Sequence, residues 1–296
     1  MTARVGYVCT NFNNSRFTRA AVETLHAGGR WDDVRVVVVD NCSNEDDRGA
    51  LRSLQRDYPT VDVVFNPENS GYFSGLNAGV SRMRELHPEV GLLVVGNNDL
   101  EFPAGFVESV ERAQGTLDTW AVVAPDLVTP EGVHQNPHVL HPISAHRRLV
   151  WDLYFLNLPA AALVRGAAAL TRRFTVRPEN AADSQLFRSP GPVEQGYGAC
   201  YLLGSRFFRH FDRFYAPTFL MQEEFFLHEQ LKLIDQLTYY DPSIVVRHRG
   251  HATMGTLSNR RNWEISRRAH MQYKAFGRLT VEARRQRIAA ATGFRP

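Results

Sequence analysis

The chain lacks the features that mark several broad protein classes. Only three of its 296 residues are cysteine (Cys9, Cys42 and Cys200). They are too few and too scattered for a disulfide framework or a zinc cluster, and a reducing cytoplasm is the setting they imply. No basic segment followed by an apolar one opens the sequence, so no signal peptide is expected. No apolar run approaches the roughly 20 residues of a membrane span. In the most apolar region the longest uncharged stretch is 12 residues, 153–164, and it contains Pro159. There is no Gly-x-Gly-x-x-Gly after the first apolar run and no Walker lysine motif, so diphosphate binding at a glycine-rich helix start is not supported. Internal repeats and low-complexity linkers are also missing.

What is present suits a soluble globular chain with a substantial core: 44% of residues are hydrophobic and 22% charged. The formal net charge is only +3, but the cations cluster. Arg147, Arg148, Arg165, Arg172, Arg173 and Arg177 bracket an apolar segment, and arginines from Arg260 to Arg287 load the C-terminal tail. Anionic lipid, an acidic acceptor, nucleic acid or plain water can each face such a surface. Segment 147–177, which carries Trp151 and Tyr154, reads either as a helix lying in a membrane interface or as a buried core helix. In the tail only Trp263, Tyr273 and Phe276 offer stacking surfaces, which argues against nucleic acid.

The first hundred residues alternate between two hydrophobic periods. Strands are expected over residues 5–9, 34–39, 61–65 and 92–95, and helices over 19–27, 50–58 and 74–86. Such alternation implies a mainly parallel sheet with right-handed crossovers. The second half is less regular. Strands are expected at 122–124, 197–203 and 239–248, a loop at 134–142, a helix within 219–237, and one or two basic helices over 262–291. This divides the chain into a regularly alternating half (1–120), a less regular half (121–255) and a basic helical tail (256–296).

Three of the apolar strands end in polar residues: Thr10–Asn14, Asp40–Asn44 and Asn97-Asn98-Asp99. Each alone reads equally well as a turn or a helix cap. Together they gather polar groups at the carboxyl edge of a parallel sheet, where open α/β sheets bind ligands. Asp40 can accept from the imide N–H of uracil or thymine, and Phe12 can stack on the base. Asp99 is the best candidate to hold a divalent cation (Mn²⁺ or Mg²⁺), which in turn can neutralise a diphosphate.

At this level the residues match a known pattern. Phe12-Asn13-Asn14, Val38-Val39-Asp40-Asn41-Cys42-Ser43, Glu68-Asn69-Ser70-Gly71 with Asn77-Ala78-Gly79, and Asn97-Asn98-Asp99 resemble, in order and spacing, the family-2 inverting glycosyltransferases, closest to a bacterial rhamnosyltransferase-like branch. The likeness continues through Gly198-Ala199-Cys200, Glu223-Glu224-Phe225-Phe226 and His248-Arg249-Gly250-His251, and so covers residues 4–255.

The resemblance implies a GT-A-type α/β fold that transfers a hexosyl or deoxyhexosyl unit from a UDP- or dTDP-sugar. It implies that the first half (1–120) binds the nucleotide sugar and the second (121–255) the acceptor. It puts Thr10, Phe12 and Asp40 around the nucleobase, and Asn69, Gly71 and Asn77 on the loop and helix closing over ribose and diphosphate. Asn97 and Asp99 match the ends of an Asp-x-Asp-like motif for ribose and metal, with Asn98 between them. His248 and His251 fall where a histidine of the family approaches metal or diphosphate. Relatives usually carry Glu-Asp where this chain has Glu223-Glu224, and the second acid is the base; here the assignment stays open between the two. The implied acceptor is a lipid-linked or small-molecule glycan in bacterial glycan, glycolipid or glycosylated-metabolite synthesis, at a cytoplasmic site docked on the inner leaflet. A sugar nucleotidyltransferase shares a related sheet, but residues 10–15 hold neither the glycine nor the basic residue it uses there. A catalytically silent sugar- or membrane-binding module is the other rival.

Overall fold

A computed structural model describes residues 4–172, 185–250 and 259–296. Its first half is β1 (Arg4–Asn11), α1 (Ser15–Ala27), β2 (Val34–Asp40), α2 (Glu45–Asp57), β3 (Val61–Phe65), α3 (Tyr72–Leu86) and β4 (Val90–Asn97). There follow β5 (Leu100–Glu101), α4 (Phe106–Arg112), α5 (Gln114–Thr119) and β6 (Val122–Val128). A helical hairpin, α6 (Ala145–Tyr154) and α7 (Leu158–Arg172), precedes β7 (Gly191–Val193), β8 (Cys200–Leu203) and α8 (Ser205–His210). The chain then runs through α9 (Glu223–Leu231), β9 (Thr238–His248), α10 (Asn259–Gly277) and α11 (Val281–Thr292).

One sheet runs through both halves in the order β3-β2-β1-β4-β8-β6-β9-β5, with β7 also on β9. From β3 to β4 every pairing is parallel, as the alternating periods require. Beyond β4 the sheet is mixed: β8 pairs antiparallel to β4 and β6, whereas β6 and β9 are parallel. The valine-rich strands are apolar throughout because both of their faces are covered. Val5, Tyr7, Cys9, Val34, Val36 and Val38 meet α1, α2 and α4 on one face. Val8, Val37, Val39, Leu93 and Val95 meet α3 and the C-terminal helices on the other.

Helix starts fall earlier than hydrophobic spacing suggests because polar caps precede the apolar stripe. α2 begins at Glu45, where the Asn44 side chain accepts from Asp47 N at 2.9 Å and Glu45, Asp46 and Asp47 fill the first turn. Ser144 caps α6 in the same way, 3.2 Å from Arg147 N. Among the described residues no helix is long and apolar enough to cross a membrane.

Two features of this topology position the site. Winding starts at β1, moves outward through β2 and β3, then reverses to β4 on the other side of β1. Ligands bind at such a switch point, beyond the carboxyl ends of the strands; here those ends are Thr10 and Asn97, direct partners in the ladder. The second feature is the short β5, which pairs antiparallel with the end of β9 so that Leu100 lies opposite His248. That pairing carries His248 to Asp99.

Candidate active site

A cavity of about 800 Å³ opens over the switch point. Thr10, Phe12, Asn69, Gly71, Asn97 and Asp99 line it from the first half of the chain; Glu223, Glu224 and His248 line it from the second. Its edge is organised by Asn11, a buried amide at the end of β1. Asn11 Nδ2 donates to Asp47 Oδ2 at 2.6 Å, Ser43 Oγ at 3.1 Å and Asp40 Oδ1 at 3.3 Å. Its Oδ1 accepts from Thr18 Oγ1 at 2.9 Å and Asn98 Nδ2 at 3.2 Å. Asn98 also donates to Asn14 Oδ1 at 2.7 Å. The network fixes three strand ends relative to one another, and buried polar groups that are fully paired make such junctions rigid.

Asp99 and His248 form a second centre. Asp99 is 3% exposed, and its Oδ1 accepts no hydrogen bond. His248 Nε2 lies 3.3 Å from that oxygen and 3.3 Å from Asn97 Nδ2. His248 Nδ1 donates to Gln135 Oε1 at 2.7 Å, so Nε2 is the ring atom that faces the carboxylate. A buried carboxylate oxygen with no donor, beside an imidazole nitrogen, is an arrangement that a shared cation satisfies. Among the described residues no three acidic, histidine or cysteine side chains converge as a self-contained metal site. The pair therefore suits a cation whose remaining ligands come from substrate and water, the usual habit of Mg²⁺ at phosphates.

The two glutamates at the start of α9 have different surroundings. Glu224 Oε1 accepts from the backbone N–H of Gly198 at 3.1 Å. A Cβ at residue 198 would sit 2.5 Å from that oxygen, so any larger residue there would displace the carboxylate. Glu223 is 5% exposed with Oε1 unpaired, and burial, reinforced by the Glu224 charge, pushes its pKa up to about 8. Burial also raises the Tyr197 phenol, with Glu224 and then Asp99 adding to it, so both carboxylates act on one ring. The turn before α9 is held in an uncommon conformation, with Met221 and Gln222 at φ 74° and 69°.

Glu223 makes a testable contribution to stability. A carboxyl raised in the folded state stabilises the fold fully below its unfolded pKa, and that contribution is lost as pH rises through the folded value. Urea unfolding of the wild type should therefore show stability falling between about pH 5 and pH 8, with a limiting slope of about 1.4 kcal/mol per pH unit from this group. Glu223→Gln should remove that component of the slope, and an unchanged pH dependence would show that Glu223 is ionised in the fold.

Gly71 joins the donor-side loop to this turn. Its φ is +90°, and an added Cβ would lie 2.2 Å from the Phe219 carbonyl oxygen, which accepts from Tyr72 N at 2.9 Å. Gly71→Ala is expected to cost about 1–3 kcal/mol in urea unfolding through backbone strain alone.

Comparison with known proteins fits this geometry. Residues 8–167, more than half of the chain, match the profile of glycosyl transferase family 2. The chain belongs to this family. No curated protein matches it. Among solved structures, it is similar to a mannosyltransferase from Pyrobaculum calidifontis determined with GDP-Man and Mn²⁺. Identity is 14% over 98% of this chain and 69% of that one, with a TM-score of 0.55. It is also similar to GalNAc-T7 determined with UDP, GalNAc and Mn²⁺, at 10% identity over 84% of this chain and 44% of that one, with a TM-score of 0.50. At these identities the likeness is one of fold, the GT-A arrangement.

Within this family-2 chain, the residues singled out from sequence occupy distinct positions. Thr10, Phe12, Asn69, Gly71, Asn97, Asn98, Asp99, Glu223, Glu224 and His248 line the cavity. Asp40 does not: it is fully buried, accepting from Asn11 and from Ser43 N at 3.2 Å, with Arg48 Nε 3.5 Å away. Asn77 also points elsewhere, exchanging hydrogen bonds of 2.8 and 2.9 Å with the Phe214 backbone. His251, Arg173 and Arg177 lie outside the described residues. Gln135, Tyr197, Phe219 and, from α10, Arg261 and Ile265 line the cavity without having been singled out. Gln135 sits in a loop with no periodic signal, so its partner His248 is visible only in three dimensions.

Proposed function

We propose that this glycosyltransferase is an inverting enzyme that moves a hexosyl or deoxyhexosyl unit from a nucleoside diphosphate to an acceptor hydroxyl. The observation that supports it best is the meeting in one cavity of the Asp99–His248 pair with the oriented Glu224 carboxylate. The nucleotide lies along the ends of β1 and β4, with Phe12 on the base and Asn97 toward the ribose. Uracil or thymine fits the reading, with Asp40 acting through Asn11. Asp99 and His248 would hold Mn²⁺ or Mg²⁺, which when bound offsets the charge that builds on the departing diphosphate.

Glu224 takes the acceptor proton as the acceptor oxygen bonds to the anomeric carbon. The bond from that carbon to the diphosphate oxygen breaks, and its electron pair leaves with the nucleoside diphosphate. Attack from the face opposite the leaving group inverts the configuration. The acceptor side contains exposed Phe219 together with Leu220, Met221 and Ile265, which suits a glycan on an apolar carrier. We place the enzyme in bacterial glycan or glycolipid synthesis on the cytoplasmic side of the membrane.

A thermal-shift series with UDP-, dTDP- and GDP-sugars, each with and without Mn²⁺, tests the donor assignment, because ligand binding raises stability as RT ln(1 + [L]/Kd). A shift with a uridine or thymidine nucleotide that grows with Mn²⁺ is expected; no shift with any of them would overturn the reading. Gln135→Leu should weaken the Mn²⁺ requirement's apparent affinity about 10–100-fold, the usual cost of losing the partner that orients a metal-binding imidazole.

A further inference from the structure

The α6–α7 hairpin presents an apolar surface that nothing among the described residues covers. Leu149 and Leu153 stand one turn apart on α6, Leu156 follows in the turn, and Leu158 and Leu163 lie on α7. Leu149, Leu156 and Leu163 are 58%, 60% and 75% exposed. Isolated exposed leucines are ordinary, but five within residues 149–163, all at least partly exposed, mark an interaction surface.

The hairpin is anchored beside these leucines by contacts with α10. Asp152 accepts from His270 at 2.8 Å and from Lys274 at 2.7 Å, and Phe155 stacks on His270 with ring centres 4.7 Å apart. Trp263 Nε1 donates to the Tyr154 carbonyl at 3.3 Å, and Arg267 Nε to that of Phe155 at 2.8 Å. The hairpin is therefore clamped to α10.

Charge decides what these leucines meet. Asp152 is the sole carboxylate in residues 145–172, and it is neutralised by Lys274 and His270. Arg147, Arg148 and Arg165 are exposed on the same hairpin, and Arg260 and Arg268 are exposed on α10, where Arg260 pairs with Glu264 at 3.0 Å. Arg147 lies over Trp151 at 5.4 Å and Arg165 over Tyr154 at 5.9 Å. Where the hairpin turn meets α10, Leu156, Leu158 and Pro159 share a cleft of about 500 Å³ with Arg260, Arg267 and Arg268. A hairpin and helix that expose leucines, carry more guanidinium groups than carboxylates and bear the amphipathic rings of Trp151 and Tyr154 fit the boundary between acyl chains and anionic headgroups. A second copy of the same surface would instead bring like charges together.

We infer that the α6–α7 hairpin and α10 form a docking face for an anionic phospholipid bilayer. Docking rests on this surface alone. Its consequence rests on the glycosyltransferase reading: α10 also sends Arg261 and Ile265 into the catalytic cavity, so the cavity receives its acceptor at the bilayer surface.

Flotation of the full chain with vesicles tests the inference. The protein should float with phosphatidylcholine vesicles containing phosphatidylglycerol and stay behind with phosphatidylcholine alone, and added salt should reduce the bound fraction. Leu149→Gln, Leu156→Gln and Leu163→Gln combined should lower partitioning about ten-fold or more, as should Arg165→Gln with Arg268→Gln. The nucleotide-sugar thermal shift of these variants should match the wild type, which separates lost docking from lost folding or lost donor binding. Leu163→Ser alone, at the most exposed position, should give a smaller loss in the same direction. Absence of flotation, equal flotation with neutral vesicles, or full binding by the triple variant would each overturn the inference. So would a dimer in light scattering that the leucine substitutions dissociate.

Discussion

Glu224→Gln should bind the nucleotide sugar as tightly as the wild type and transfer it at least about 10²-fold more slowly. The substitution keeps the size of the side chain and an oxygen for the Gly198 N–H, which lies 3.1 Å from Glu224 Oε1. It removes the ability to take a proton. Titration calorimetry for the donor and initial rates for transfer separate the two effects. Glu224→Asp should recover part of the rate, since a carboxylate is restored at the price of one methylene of reach. The neighbouring acid is the natural competitor for the role. Glu223 has an unpaired buried oxygen and a pKa of about 8, so near neutral pH it keeps its proton and is a poor base. Near-normal turnover by Glu224→Gln, with a collapse in Glu223→Gln, would reverse the assignment.

Asp99→Asn should have effects of opposite sign on stability and on function. Asp99 Oδ1 is a buried acceptor without a hydrogen bond, 3.3 Å from His248 Nε2. An amide there donates to Nε2 and carries no charge to desolvate, so unfolding should be unchanged or shifted upward by about 1 kcal/mol. The Mn²⁺-dependent part of the thermal shift should disappear, and transfer should fall by at least about 10²-fold, the scale of losing one electrostatic contact to a leaving group. The pairing of outcomes matters, because a merely structural Asp99 would lose stability and activity together. Retained Mn²⁺ dependence in Asp99→Asn would remove this residue from the metal site.

These two carboxylates were not equally legible in the sequence. Asp99 follows an apolar run ending in Asn97-Asn98, and a polar cluster past a fully buried strand points to the ligand edge of a sheet. Glu224 sits in no such context and was visible only through resemblance to a family pattern. Asp40 shows the limit of strand-end reasoning. The end of β2 was found, but the side chain is buried against Asn11, Ser43 and Arg48, because Asn11 occupies the space toward the cavity. Asn77 lies on the expected helix but turns to the Phe214 backbone. One residue of helical rotation decides that outcome, and composition does not encode it.

By itself the sequence determined the parallel half of the sheet and its polar carboxyl edge. Burial on both faces writes a continuous apolar run into each strand, and the reversal to water or ligand at its end writes a polar cluster. The tertiary structure decided which distant residues meet there. His248 reaches Asp99 because β5 pairs antiparallel with the end of β9, and Gln135 reaches His248 from a loop without periodicity. The mixed order β4-β8-β6-β9 sets Gly198 against Glu224. Local patterning reports only whether a residue faces core or solvent. Strand order and pairing direction depend on contacts between segments far apart in the chain, and those contacts are what turn a polar sheet edge into a site able to hold a cation and accept a proton.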